Sequence, residues 1–322
     1  MGSTVSGRLV IGLDSGGAKT AGALCDERGR VLAQARDVGA AIVGLPTPHF
    51  YAVAEAALAG LCRDAGVALD RVDRVAIGLS GVDYPDEQAE QHRLVAERLG
   101  LGGRLDLVND GLVALWGVSD TTKTALMQHG SGITTAYRTA PGQETIYDSL
   151  DIAQVYDLRR AAFAQTARMI DGRARVTGLR DRVLAHCGVT ADRFAEWAFR
   201  DPAARARRFA VAGVVFDAWR EGDPAARVMV ERAAADYVLS MRAMGDRIDG
   251  SFDAAFGGGV ITRGGRAFQD LIGDLMAWEV PAARMVDIRL PPELGAVVLA
   301  GHGCGLDART LFADLAALET AS

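Results

Sequence analysis

One pattern occurs twice in the chain, and this repeat limits the architectures open to it. Residues 9–36, LVIGLDSGGAKTAGALCDERGRVLAQAR, predict a strand, a glycine-rich turn, a strand, a polar turn and a third strand. Residues 124–149, TALMQHGSGITTAYRTAPGQETIYDS, show the same order. Alternating helical and strand segments follow each copy. Two copies of one supersecondary unit predict an α/β fold of two domains with mixed sheets, facing each other across a cleft.

The remaining segments follow from apolar spacing and end signals. A helix is predicted to begin after Thr47 and to end before Gly66, since these are typical capping residues. The other predicted helices are 86–99, a short one through Leu115 and Trp116, 151–171, 190–249 with breaks, 265–276, one from about 292 and 308–318; the other strands are 74–78, 105–108, 254–256 and 285–289. The predicted domains are 1–118 and 119–295, with helices from about 296 to 322 packing back on the first.

Composition excludes several classes of protein. The 322 residues carry a formal net charge of −6, which argues against nucleic acid or an anionic membrane surface as the main partner. No apolar run is long enough to span a membrane and no secretion leader is recognisable, so a cytoplasmic location is expected. The four cysteines have no paired spacing, which disfavours a disulfide framework or a metal site.

The two glycine turns are candidate phosphate sites. Backbone N–H groups of consecutive small residues bind anions, and the missing side chains let phosphate oxygens approach. Lys19 would add a positive charge, and Asp14 could hold Mg²⁺, which prefers one or two carboxylates plus phosphates. Alternatively, the turns only connect hairpins and Lys19 is a solvated residue at a strand edge.

Two further segments carry candidate chemistry. Asp110 follows a strand, where its carboxylate could accept the proton of a substrate hydroxyl that attacks a phosphoryl group. Alternatively, Asp110 caps the helix that starts at Gly111. The segment FGGGV, 256–260, suits a backbone that passes close to a flat ligand such as adenine, or a simple strand-to-helix turn.

Taken in order, these motifs resemble the actin–hexokinase–Hsp70 superfamily. The resemblance is strongest to its branch of N-acetylglucosamine kinases, glucosamine kinases and BadF/BadG/BcrA/BcrD ATPases, and it covers nearly the whole chain. The segments that carry it are IGLDSGGAKT, GLSGVDYP, LVNDGLVAL, QHGSGITTAY, FGGGV and LPPELGAVVLAG.

The resemblance implies two RNase-H-like domains that close over MgATP. It implies that Asp14 organises the metal and that Asp110 is the general base. The residues implied to surround ATP are Gly16, Gly17, Lys19, Thr20, Gly130, Ser131 and Gly132 at the phosphates and Gly257, Gly258 and Gly259 at the adenosine. The residues implied on the substrate side are Asn109, Asp151 and Ile42.

The chain departs from the family pattern mainly on the sugar side. Ala18 stands where the first turn usually has Thr, and Ile133 where the second usually has Ser. Ile42 stands at the position of a sugar-binding Asn, and only Asp151 is left of the D-E-G-S signature. A substrate hydroxyl that loses its partner costs about 1–3 kcal/mol, so the pattern favours a kinase more than it favours N-acetylglucosamine as substrate.

The leading hypothesis is an ATP-dependent kinase that acts on a hydroxyl of a sugar or amino sugar. Its partners would be ATP and a small sugar-like molecule; relatives are often homodimers. One alternative is a partner-coupled ATPase like the activators of 2-hydroxyacyl-CoA dehydratases, although the scattered cysteines do not match the iron–sulfur site of those proteins. Another is a degenerate kinase that senses a ligand without turnover.

Overall fold

A computed structural model describes residues 7–130, 132–147 and 155–321. Two five-stranded sheets form its centre, each with two antiparallel and two parallel strand pairings. The first sheet, in the order β3-β2-β1-β4-β5, consists of β1 (Leu9–Ser15), β2 (Lys19–Asp26), β3 (Val31–Val38), β4 (Arg74–Leu79) and β5 (Leu105–Val108). The second, in the order β10-β9-β6-β7-β8, consists of β6 (Thr124–His129), β7 (Ile133–Arg138), β8 (Glu144–Ile146), β9 (Phe252–Gly257) and β10 (Ala283–Met285). The predicted duplicated α/β architecture is confirmed.

The helices divide between the two sheets. The helices that pack on the first sheet are α1 (Pro48–Ala65), α2 (Pro85–Arg98), α3 (Asp110–Trp116), α11 (Pro292–Gly303) and α12 (Ala308–Ala321). With the second pack α4 (Leu158–Ile170), α5 (Gly178–Cys187), α6 (Phe194–Arg200), α7 (Ala203–Ala210), α8 (Ala212–Arg220), α9 (Pro224–Gly245) and α10 (Gly259–Glu279). We call the two groups the first and second unit; the exact domain boundaries at 118 and 295 stay predictions. No helix in the described ranges is long and apolar enough to cross a membrane.

Apolar continuity explains the central strands. All seven residues of β1 are buried, because β2 and β4 flank the strand and helices cover both faces. Helix α1 begins and ends where predicted, since Thr47 accepts a hydrogen bond from the Phe50 amide and Gly66 adopts the left-handed conformation with φ 69°.

Several predicted elements are wrong in position. Helix α4 begins at Leu158 instead of residue 151, because the Asp157 side chain caps it and residues 155–157 are not helical. Helix α5 was not predicted, and β10 ends at Met285, where a strand was predicted to begin. Helix α10 begins six residues earlier than predicted, with a kink at Gly265.

Helix α11 joins residues that are far apart in sequence. It lies against β1 so closely that a Cβ at Gly12 would stand 2.3 Å from the backbone oxygen of Glu293. On its other side it meets α3, where a Cβ at Gly295 would stand 2.1 Å from the oxygen of Val113. Helix α3 in turn packs on the second sheet through Leu115 and its neighbours. Helix α3 therefore lies between the two sheets, and α11 packs on both α3 and the first sheet.

The Gly12 contact predicts a large effect of one methyl group. Gly12→Ala should lower the free energy of unfolding by about 1–3 kcal/mol, because the backbone of α11 must move away from β1. Urea unfolding measures the change. The matched control is Gly60→Ala in α1, where a Cβ meets nothing closer than 3.6 Å and the helix should gain about 0.5–1 kcal/mol. Equal effects of the two substitutions would contradict this interpretation.

Candidate active site

A cleft of about 990 Å³ separates the two units. Its first wall includes the turn between β1 and β2, the ends of β1 and β4 and the first turn of α3. Its second wall includes the turn between β6 and β7 and one face of α9. Of the predicted site residues the structure brings eight into this cleft: Asp14, Gly16, Gly17, Lys19, Asn109, Asp110, Gly130 and Gly132.

Both glycine turns present bare backbone to the cleft. A Cβ added at Gly17, Gly130 or Gly132 would meet no atom within 4 Å, and one at Gly16 would meet none closer than 3.8 Å. The first turn is held from behind, because the Gly16 amide donates to the oxygen of Lys19 at 3.0 Å and the Gly16 oxygen accepts from Ala40. Pre-organised bare backbone of this kind leaves room for phosphate oxygens.

A buried polar network supports the second turn. The side chain of His129, the last residue of β6, is fully buried and its Nδ1 bonds the hydroxyl of Tyr237. Arg159 donates to the oxygen of Gly130 at 2.7 Å and to Asp157 at 3.0 Å. Burial, with the Arg159 charge second, lowers the pKa of His129 to about 4, so the imidazole is neutral at pH 7. None of these side chains belongs to a motif that predicts a role for it.

Asp110 lies at the first position of α3, facing the first glycine turn. Its Oδ2 is 3.9 Å from the position of a Cβ at Gly16. The capping residue is Asn109, whose Oδ1 accepts from the Gly111 amide at 2.7 Å, so the alternative in which Asp110 caps the helix is wrong. Burial, with the charge of Asp83 second, raises the pKa of Asp110 to about 6. Hydrogen bonds from the amides of Gly111 and Asp110 and from the Ser80 side chain oppose this pKa shift, and the carboxyl group still titrates near neutral pH.

Asp14, at the end of β1, belongs to the same cluster of acids. Burial raises its pKa to about 7, and the charges of Asp110 and Glu293 add to the shift while Lys19 opposes it. The Nζ of Lys19 stands 3.9 Å from Oε2 of Glu293, and this oxygen is buried without a hydrogen-bond partner. Four carboxylates, Asp14, Asp83, Asp110 and Asp236, line the cleft with Lys19 as the one described cation.

This donor set fits Mg²⁺ bound together with phosphates. Within the described ranges, no three His, Cys, Asp or Glu side chains are grouped so that the protein alone could hold a metal. Mg²⁺ usually keeps several waters and takes one or two carboxylates plus phosphate oxygens. Asp14 could supply a carboxylate, and a nucleotide bound at the bare turns could supply the phosphate oxygens. An orphaned oxygen of Glu293 and an excess of acids are the features that a cation would relieve.

Several predicted site residues lie elsewhere. Ile42 is 4 % exposed and packs in the core of the first unit, so its side chain does not line the cleft. Thr20 is buried, and its hydroxyl pairs with that of Ser15 at 3.0 Å. Ser131 and Asp151 lie outside the described residues.

The glycine triplet after β9 has other neighbours than the cleft. Gly258 is needed for packing, since a Cβ there would stand 2.6 Å from the His129 backbone, whereas a Cβ at Gly257 would stand 2.4 Å from the movable end of the Ile288 side chain. Gly258 also has φ 91°, which favours glycine. Only Gly259, at the start of α10, has open space at its Cβ position. An adenosine contact of these residues stays a prediction.

The architecture and the motif order agree with a comparison of known families. That comparison matches residues 11–300 to the BadF/BadG/BcrA/BcrD ATPase family. The chain belongs to this family. A search of curated proteins found no match. Sequence and family together therefore support an ATP-binding protein with a kinase-like fold.

Solved structures of sugar kinases share the fold of this family member. A candidate N-acetylglucosamine kinase from Chromobacterium violaceum is 24% identical, with 92% of this chain and 100% of that chain covered at a TM-score of 0.69. A ROK family glucokinase from Streptomyces griseus, solved with glucose and AMPPNP, is 19% identical, with 91% of this chain and 98% of that chain covered at a TM-score of 0.56. A candidate N-acetylglucosamine kinase from Porphyromonas gingivalis is 15% identical, with 92% of this chain and 98% of that chain covered at a TM-score of 0.62. The predicted two-domain actin-like fold is thus confirmed.

The acidic cluster predicts a pH-dependent stability. The pKa of Asp14 is about 7 in the folded chain and 3.8 ordinarily, so the folded state binds this proton more tightly. That stabilisation is present below pH 4 and is lost as the pH rises through 7. Asp14→Asn should therefore raise the free energy of unfolding at pH 8 by about 1–3 kcal/mol and leave it nearly unchanged at pH 4.

Urea unfolding at the two pH values checks this expectation. The control is Asp274→Asn, which makes the same change on the exposed face of α10. If Asp14→Asn gains the same stability at both pH values, or no more than the control, the charged form of Asp14 does not destabilise the folded state.

Proposed function

We propose that this protein is an ATP-dependent kinase that phosphorylates a hydroxyl of a sugar or amino sugar. The observation that carries the proposal is the meeting of two bare glycine turns, one from each unit, in one cleft that also holds Asp14 and Asp110. ATP phosphates would lie between the turns, with Lys19 beside them. The glycine turns alone would bind the phosphates of any nucleotide. A carboxylate beside the terminal phosphate could also accept the proton of an attacking hydroxyl.

Each residue would have a distinct role in the transfer. Asp110 would accept the proton of the substrate hydroxyl as its oxygen forms a bond to the γ-phosphorus and the bond to the ADP oxygen breaks. Asp14 would hold Mg²⁺, which when bound neutralises charge on the phosphates. Asp83, held by the Asn109 amide at 2.7 Å, is exposed beside Asp110 and would accept a hydrogen bond from another sugar hydroxyl.

The substrate side of the proposal rests on Asp83 and Asn109, because Ile42 is buried. Neither oxygen of Asp83 has another described side-chain donor than Asn109, so the carboxylate retains acceptor capacity for a sugar. Burial raises the pKa of Asp83, and the Asn109 bond opposes that shift. A hydroxyl donor from the substrate would favour the charged form in the same way.

A partner-coupled ATPase is the second candidate, because the family description names an ATPase. Such an enzyme would hydrolyse ATP without a sugar acceptor. The chain's four cysteines are all free, with Cys25, Cys62 and Cys187 buried, and they form no cluster-binding group in the described ranges. An ADP-release assay separates the two functions, since a kinase is stimulated by its acceptor.

The first test is ADP release with MgATP and a panel of acceptors: N-acetylglucosamine, glucosamine, N-acetylmannosamine, glucose and polyols. We expect one acceptor to stimulate release, and Asp110→Asn to lower kcat about 10²–10⁴-fold while the Kd of ATP changes little. In the free enzyme kcat/KM should fall below pH 6, as Asp110 becomes protonated.

Asp274→Asn should behave like the wild type. If no acceptor stimulates ADP release, and if Asp110→Asn still releases ADP, the kinase function is rejected and the ATPase function is favoured. ATP binding with no release at all would favour the non-catalytic sensor.

The first turn offers a second test. Ala18 is exposed and lines the cleft at the position where the resemblance described above implies Thr. Ala18→Thr should add a hydrogen bond to a phosphate and lower the Kd of ATP about tenfold. Ala18→Val, which has the same shape without the hydroxyl, should give no gain. Equal affinities of the two variants would show that phosphates do not lie at this turn.

A further inference from the structure

A second cavity, of about 550 Å³, lies where the chain passes from the first unit to the second. One wall is formed by the end of α3, residues 119–122 and β7, and the other by the end of α11 and the beginning of α12. None of its described lining residues lines the cleft. The side chains that matter for the argument are Trp116, Arg138, Val298, His302, Arg309 and Phe312.

Arg138 is a buried cation that makes no ion pair within 4.0 Å in the described part of the chain. It is 2 % exposed, and its guanidinium carbon stands 4.3 Å from the centroid of the Trp116 ring. Its Nε and Nη2 donate to the backbone oxygens of Thr122 and Thr121 at 3.1 and 2.8 Å. Its Nη1 is buried and bonds no protein atom. The charge of Glu144 acts on it, but among the described side chains no carboxylate oxygen lies within 4.0 Å.

The other charged and aromatic side chains around the cavity have neighbours within the chain. Arg309 stands 3.5 Å from Asp120, and Asp307 accepts the hydroxyl of Thr310 at the start of α12. His302 packs on the ring of Trp116, with the ring centroids 5.5 Å apart. Arg138 is therefore the one buried cation of the described cavity wall, and it makes no ion pair within 4.0 Å and keeps an unbonded N–H. Burying an unpaired ion costs several kcal/mol, which an anion from outside the chain would reduce.

We propose that this cavity binds a small organic anion, with one carboxylate or phosphate group joined to a flat apolar body. The anionic group would neutralise Arg138, and Arg309 at the mouth would add a second cation. The apolar body would pack between Trp116 and His302 on one side and Phe312 on the other. The volume lies within the range of pockets for small ligands, which is about 300–1,000 Å³.

Position gives this site a regulatory meaning. Its walls come from both units, so a bound ligand contacts β7 of the second unit and α12 of the first at once. A ligand that fits one arrangement of the units better than another shifts their equilibrium, and its effect on ATP affinity must be reciprocal. This step rests on the proposed function, whereas binding of the anion does not.

Calorimetry with named probes tests the site. We expect benzoate and phenyl phosphate, titrated in the presence of saturating AMPPNP and Mg²⁺, to bind, and neutral benzyl alcohol to bind at least about tenfold more weakly. Binding of only one anion would support the site and assign its anionic group. Absence of binding of both in the millimolar range, or loss of binding when AMPPNP is added, would overturn the proposal.

Variants place the binding in this cavity. Arg309→Gln, at an exposed position, should raise the Kd of the anion about tenfold, and His302→Trp should block the cavity. Arg138→Gln should abolish binding, with thermal unfolding to show that it folds. The matched control, Arg266→Gln on exposed α10, should bind like the wild type. Unchanged affinity in both Arg309→Gln and His302→Trp would refute the site.

The coupling has its own readout, which needs no turnover. The Kd of AMPPNP, measured with and without saturating benzoate, should differ several-fold. An unchanged Kd would reject the regulatory role and leave the binding result as it stands. A protein that binds benzoate but phosphorylates no acceptor would retain this site while losing the proposed function.

Discussion

The contact between α11 and β1 is the constraint on which both the fold and the site depend. With no side chain at Gly12, the helix backbone lies directly on the strand, and the first turn of α11 is brought beside the end of β1. That placement puts Glu293 next to Lys19 and Asp14. Residues almost 280 positions apart thereby form one acidic cluster. The same helix contacts α3 through Gly295, which fixes Asp110 relative to the strand.

Charge is the second organising feature. Carboxylates from β1, α3 and the loop after β4 face one lysine, and burial raises the pKa of Asp14 to about 7 and that of Asp110 to about 6. An excess of negative charge opposes phosphate binding unless a cation is present. The bare turns and the acids therefore agree with the proposal that ATP binds together with a cation. In the second unit neutral His129 and the ion pair of Arg159 and Asp157 support the turn without adding net charge to it.

Local signals were sufficient for much of the fold. Continuous apolar runs predicted the central strands, and Thr47 and Gly66 predicted the ends of α1, because these signals act within a few residues. Helix α5 was not predicted, although its buried residues Leu179, Val183, Leu184 and Cys187 recur at helical spacing, because charged residues interrupt this short segment. Its helical state comes from packing on α4 and α8. The position of β10 depends on its register with β9, which no local pattern encodes.

Some residues of the site could also be predicted from local sequence, and others could not. Asp14, Asp110 and the turn glycines were found because each lies at the end of a strand that the sequence reveals. Asp83, Asp236 and Glu293 were not singled out, since only tertiary packing brings them to the cleft or beside it. Ile42 was predicted to contact the substrate from an alignment position alone, and its burial in the core shows that position in a motif does not fix the direction of a side chain.

The order of the elements along the chain has a consequence for synthesis. The second unit is continuous, from β6 to β10, whereas the first combines β1–β5 with helices α11 and α12. As the chain leaves the ribosome, the face of the first sheet that α11 covers stays open to water until the whole second unit has been made. The first unit therefore completes its core after translation of residues 292–321, and the earlier strands are exposed to mispairing until then.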